Sequence, residues 1–308
     1  MRLATEQIQP VTVPAEPLGL RPRSFQQRLR RSLPGRLLRE TPLGALGALL
    51  VAALLLVALL GPALTPYPPT QNTVGKRLSP PSTRYLAGTD NLGRDVFSRT
   101  IAGARVSVLV GFGAVAIAML TGTAIGITSG YFGGRIDTLV QRFVDAYMAF
   151  PNLVLLMTIV SVLGAGVPQL ILALGFSTGL GNSRVLRSSA LAIRRNQYVE
   201  AARTLGAGNG RILLRHILPN IFAPLMVLAT AGLGSVILAE ASLSFLGFGV
   251  PPPNASWGNM LTGYGRSVLY LAPWMMLAPG IALTLTVFGF NVLGDALRDL
   301  LDPQLRGR

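Results

Sequence analysis

The stretch YVEAARTLGAGNGRILLRHILPN, residues 198–220, carries three arginines and the chain's single histidine, yet it lies between runs apolar enough to cross a membrane. Its first part, 198–205, is alanine-rich and favours helix. Glycines at 206, 208 and 210 interrupt that pattern, and a helical spacing resumes over 211–218 before Pro219. Proline suits the first turn of a helix, where its missing N–H has no intrahelical partner to lose. The spacing therefore predicts two short helices joined by a glycine bend, a knob fixed to the start of a spanning helix. Ala201 and Ala202 leave a smooth surface that another backbone can approach, and Glu200 can answer a basic group on a partner. The plainer alternative is an amphipathic loop that touches nothing.

The flanks set the context. Half of the 308 residues are hydrophobic and 13% are charged, against about one quarter charged in a soluble domain. This is the composition of an integral membrane protein. A helix needs about 20 residues to cross roughly 30 Å of hydrocarbon, and such runs occur at 43–64, 104–128, 139–163, 219–245 and 272–294. The run 169–180 is shorter and broken by glycine; read as a span continuing past Gly181, it makes six crossings and keeps both charged ends on one side. Of the 27 basic residues, 20 fall in the tail 1–41, the loops 129–142 and 182–218, and the C-terminus. Basic loops stay inside, so both termini and the 198–220 knob are expected in the cytoplasm.

This gives a division into a basic cytoplasmic tail over 1–41, expected to be disordered at its start, a first transmembrane helix over 42–64, an outer loop over 65–103, a five-helix core over 104–297 that contains the knob at 196–219, and a cytoplasmic tail over 298–308. The first span is read as retained, because its apolar core and its lead are both longer than a cleaved signal uses. The outer loop opens with TPYPPT and SPPS, where prolines hold extended backbone. It is expected to turn helical at TDNLGRDVFSRTIAGAR, capped by Thr89 or Asp90, and to lie along the outer membrane face.

Several chemistries are excluded. There is no cysteine for a disulfide, a thiolate metal site or a nucleophile. The VGKR at 74–77 lacks the earlier glycine and the hydroxyl residue of a phosphate loop, one histidine cannot build a HExxH zinc site, and the twelve acidic residues are scattered. The net charge of +15 is dispersed in short clusters rather than gathered with aromatics, so no nucleic-acid face is expected and the charge is read as orientation signal and lipid contact. His216 is read as a contact or capping group. Asp145, Glu240, Asn291 and Asp295 are read as solvated or bundle-packing groups near helix ends, and Trp257 and Trp274 as anchors at the outer interface.

The motif EAARTLG followed by ILP resembles the EAA loop of the permease subunits of bacterial ABC importers, with Glu200, Ala201, Ala202, Gly206, Ile217 and Pro219 at matching positions. From about residue 40 onward the chain is similar to the C-type permeases of dipeptide, oligopeptide and nickel importers. The stretches LAGTDNLGRDVFSRTIAGARVSV, EASLSFLGFGVPPPNASWGNML and FNVLGDALRDLLDPQLR carry that resemblance. It implies an all-α, six-helix type I permease of the bacterial inner membrane whose EAA loop is a coupling helix, with those six residues coupling it to an ATPase. It also implies a second, homologous permease, two ABC ATPase subunits that bind the ATP and Mg, and an external substrate-binding protein, periplasmic or lipid-anchored. The chain itself would then hold no cofactor and catalyse nothing. Two other classes stay open: a secondary transporter driven by an ion gradient, whose inverted repeats and midplane acids are not evident, and a membrane scaffold that merely docks a partner. No residue names the cargo or its path.

Overall fold

The computed structural model describes residues 37, 41–262 and 270–301, so nearly all of the basic N-terminal tail and the end of the C-terminal tail lie outside the described residues. Those described are helical or looped, and no strand occurs among them.

The first helix, α1 (Pro42–Leu64), opens with proline in its first turn and buries Gly44, Gly47, Val51, Leu54, Ala58 and Gly61, a stripe spaced alternately by three and four residues. That spacing puts small side chains on one face. There the helix meets the last one, α10 (Trp274–Leu301), so closely that a methyl added at Gly47 would stand 2.8 Å from the carbonyl oxygen of Gly289. Its remaining leucines point outward.

The second helix, α2 (Val96–Phe132), runs 37 residues without a break, about 55 Å at 1.5 Å per residue. That exceeds the hydrocarbon thickness. The helix expected to lie along the outer face is therefore corrected: its residues from Val96 onward are the first turns of α2. The expected caps are corrected too, since Asp95 caps the helix by accepting from the Ser98 N–H at 2.8 Å. Thr89 and Asp90 instead fold the outer loop. The Thr89 hydroxyl donates to the Lys76 carbonyl at 2.6 Å, and Asp90 accepts from the Leu92 and Arg94 N–H groups and pairs with the Arg94 guanidinium at 2.6 Å. The loop is stitched to itself by main-chain bonds from Thr73 to Leu92 and from Leu78 to Asp90. Prolines extend it locally without leaving it loose.

The expected straight span at 139–163 is also corrected. It is two helices, α3 (Gly134–Met148) and α4 (Asn152–Leu163), bent by 91°. The break falls at Pro151, which lacks an N–H and disfavours helical backbone at the residue before it. Next comes α5 (Val167–Arg194), which continues through Gly181 as the sequence suggested and packs along α2. Methyls added at Gly122, Gly126 and Gly130 of α2 would lie 2.8, 2.7 and 2.7 Å from the carbonyl oxygens of Gly179, Ser183 and Arg187. Membrane helices pack without a hydrophobic drive between them, and small residues that admit backbone contact supply the attraction.

The chain then passes through α6 (Gln197–Thr204) and α7 (Asn209–Ile212), a π-helical turn (Leu213–Ile217) and a 3-10 turn (Leu218–Ile221), into α8 (Phe222–Phe245). A short α9 (Trp257–Met260) precedes α10. Four helical stretches are long and apolar enough to cross a membrane, or five if the bent pair counts as one crossing. α5 has the length but is too polar and arginine-rich to meet that criterion.

Candidate functional site

The knob at 197–217 stands on its own hydrophobic foundation. Val199 of α6, Ile212 of α7, Ile217 and Ile221 are all fully buried, and they pack with Ile127 and Tyr131 at the end of α2 and with Leu186 and Ala190 of α5. Polar contacts add direction. The Tyr131 hydroxyl donates to Asn209 Oδ1 at 2.8 Å, and the Arg203 guanidinium lies over the Tyr131 ring, 5.6 Å from its centre. His216 faces Tyr198 across 6.3 Å between ring centres, in keeping with a contact role. One tyrosine thus braces both arms of the knob against α2.

α6 ends in a closed turn. Gly206 takes φ +81°, the Ala207 N–H donates to the Ala202 carbonyl and the Gly206 N–H to that of Arg203, each at 3.0 Å. This pair of bonds satisfies the last carbonyls of a helix and requires a left-handed residue at its hinge. Of the three glycines in the stretch, Gly206 alone is held by its backbone. Gly208 has ordinary φ −66° and Gly210 lies inside α7, and a methyl at either would meet nothing. The expected second short helix is a correction as well, because α7 does not stop before the next span but runs on through the π and 3-10 turns into α8.

Glu200, Ala201 and Gly206 are exposed on the outside of α6 and its turn, and Ala202 is half-buried beside them. Glu200 has no ion-pair partner among the described residues, so its carboxylate is available outward. Ile217 is not on that surface; it is fully buried and anchors the knob from beneath. Pro219 is exposed in the 3-10 turn, away from α6 along the chain. Sequence reasoning missed Leu205, which is 88% exposed at the tip of the knob; an apolar residue next to the hinge glycine in an otherwise polar stretch was the available signal.

The other singled-out residues divide. Asp145 pairs with Arg184 at 2.5 Å in a half-exposed site. Asp295 is exposed, and Asn291 sits against Gly234. Glu240 is fully buried and accepts from the Ser244 hydroxyl at 2.7 Å, a packing role rather than a solvated one. The expectation that Trp257 anchors the membrane interface is corrected: it is buried in the core, its indole N–H donating to the Thr100 carbonyl at 2.8 Å. Trp274 is half-buried and holds the outer loop through the Thr89 carbonyl at 3.1 Å.

A core of long apolar helices thus carries a braced polar knob between two of them, the architecture of a membrane-embedded subunit. Residues 122–307 match the binding-protein-dependent transport system inner membrane component family, and residues 35–81 match the N-terminal transmembrane domain of oligopeptide transport permease C. The chain belongs to the family of binding-protein-dependent transport system inner membrane components, and is a multi-pass membrane protein. Among its relatives are the dipeptide transport system permease protein DppC of Alkalihalophilus pseudofirmus, 39% identical over 87% of this chain and 88% of that one, and the oligopeptide transport system permease protein OppC of Bacillus subtilis, 37% identical over 87% and 88%. A third is the di/tripeptide transport system permease protein DppC of Pseudomonas aeruginosa, 39% identical over 85% and 89%. Among solved structures, a chain of the MetNI methionine ABC transporter in inward-facing conformation shares the fold, with TM-score 0.55 and 17% identity over 66% of this chain and 96% of that one. The ABC-permease fold expected from the sequence is borne out.

Proposed function

We propose that this chain is one of the two permease subunits of an ATP-driven ABC importer of peptides, and that α6 and its turn are the part an ATPase subunit grips. One observation carries the reading: an exposed helix bearing Glu200, Ala201 and Leu205 is mounted rigidly, through Val199, Ile212, Ile217 and Tyr131, on the ends of α2 and α5. A push on such a knob moves the membrane helices instead of bending a loop. The peptide cargo rests on the printed functions of the relatives.

In this reading a second, homologous permease completes the path, two ATPase subunits bind ATP and Mg and close on each other, and an external binding protein delivers the peptide. The chain holds no cofactor and performs no chemistry. The ATPases drive the change because they contact the two states of the permease unequally, as any shift of an equilibrium by a ligand requires. The arginine bias supports both termini, the knob and the tail 298–308 on the cytoplasmic side, with 65–95 outside.

The test is uptake of a labelled dipeptide into proteoliposomes holding the whole complex and loaded with its binding protein. ATP inside the ATPase-bearing compartment should be required. Uptake driven by an ion gradient without ATP would establish a secondary transporter, and a complex that assembles but moves no peptide under any condition would leave only a scaffold.

A further inference from the structure

The helix α3 is inverted relative to an amphipathic helix on a soluble protein. Its polar side faces the protein: Asp137 accepts from Nε and Nη2 of Arg187 at 2.5 Å each and from the Ser129 hydroxyl, and Gln141 donates to the same hydroxyl at 3.1 Å. Asp145, two turns on, pairs with Arg184. Its apolar side faces away. Ile136, Leu139 and Phe143 recur at helical spacing, with Leu139 75% and Phe143 60% exposed, and the stripe continues past the helix end to Phe150, 61% exposed. On the flank beside Leu139, Arg135 and Arg142 stand seven residues apart, both exposed and without an acidic partner among the described residues.

We propose that α3 lies flat in the headgroup layer of the membrane, its stripe in the acyl chains and Arg135 and Arg142 on the phosphates of anionic phospholipids. Two observations select this occupant. The 91° bend at Pro151 turns α3 away from the axis of α4, so the pair need not run straight through the bilayer. Both carboxylates of α3 are neutralised by arginines of α5, which leaves the outward charge of the helix cationic. An apolar stripe with a basic edge is what an interfacial helix presents to acyl chains and anionic headgroups. α3 follows α2 directly, next to Tyr131 and the knob, so the headgroups engaged are those of the leaflet nearest the ATPases in the proposed orientation.

The experiment places a single bimane label at Leu139→Cys in the full complex, reconstituted in vesicles containing either brominated phosphatidylglycerol or brominated phosphatidylcholine. Bromines high on the acyl chain should quench the label, and the phosphatidylglycerol should quench it more. The preference should fall by about fivefold for each arginine removed in Arg135→Gln/Arg142→Gln, on roughly 1 kcal/mol per basic residue at an anionic surface, and should persist in Arg135→Lys/Arg142→Lys. A label quenched by neither lipid means that protein covers the stripe, equal quenching by both means that the arginines select no headgroup, and strongest quenching by bromines at the chain ends means that α3 spans the bilayer. Each of these overturns the proposal. No step needs ATP or peptide, so failure here is distinguishable from failure of the transport reading.

Discussion

At the scale of single residues, the knob depends on which atoms are fixed and which are free. Gly206 sits at φ +81° with open space around it, so Gly206→Ala meets no clash but must hold a left-handed backbone, at a cost of roughly 1–2 kcal/mol. Hydrogen exchange of the α6 amides should quicken and ATP-driven uptake should fall, while Gly208→Ala and Gly210→Ala should leave both unchanged. Equal behaviour of all three variants would remove the hinge role from Gly206. Tyr131→Phe deletes the hydrogen bond to Asn209 and keeps the ring that packs beneath Arg203. A loss of about 0.5–1.5 kcal/mol should appear as a lower melting temperature of the purified complex. At this scale the sequence was readable where a residue's role follows from its backbone, as at Gly206. It was silent at Ile217, because a motif position gives no sign of whether a side chain looks outward or down into the protein, where this one lies.

Between elements, the contact of α2 with α5 is the most extensive among the described helices and rests on Gly122, Gly126 and Gly130, whose absent side chains let the two backbones touch. Gly126→Leu should force the pair apart, and intact complex should not be recoverable from membranes. Gly181 of α5 faces open space, so Gly181→Ala should yield complex at the parental level. Normal recovery of Gly126→Leu would show that the glycine ridge is incidental. The long apolar runs were legible because a span must be about 20 residues of low polarity. Two readings failed for a common reason: hydropathy weighs side chains and ignores the backbone. Pro151 breaks a run that is apolar throughout its centre, and the polar residues at the start of α2 stay helical because Asp95 caps them and the folded outer loop covers them.

Across the whole molecule, the folded loop at 65–95 and the knob occupy opposite ends of α2. Cysteines at Ser82 and Asn254, both exposed, should react with a membrane-impermeant maleimide added to intact cells, and one at Gly208 should react only after the cells are opened. Labelling of Gly208→Cys from outside would reverse the proposed orientation. The long apolar helices were legible at this scale from span length, whereas the burial of Trp257 and Glu240 was not, since both depend on which helices become neighbours. The ion pairs of α3 also set a schedule for biosynthesis. Asp137 waits for Arg187, 50 residues later in the chain, and Asp145 waits for Arg184, 39 residues later. At bacterial elongation rates of roughly 5–20 residues per second, the newly made α3 spends several seconds with its carboxylates unmatched and its apolar stripe already complete. During that interval the insertion machinery meets α3 joined to α4, which together are apolar enough for one crossing, and in the proposed placement the arrival of two arginines from α5 is what holds α3 at the surface.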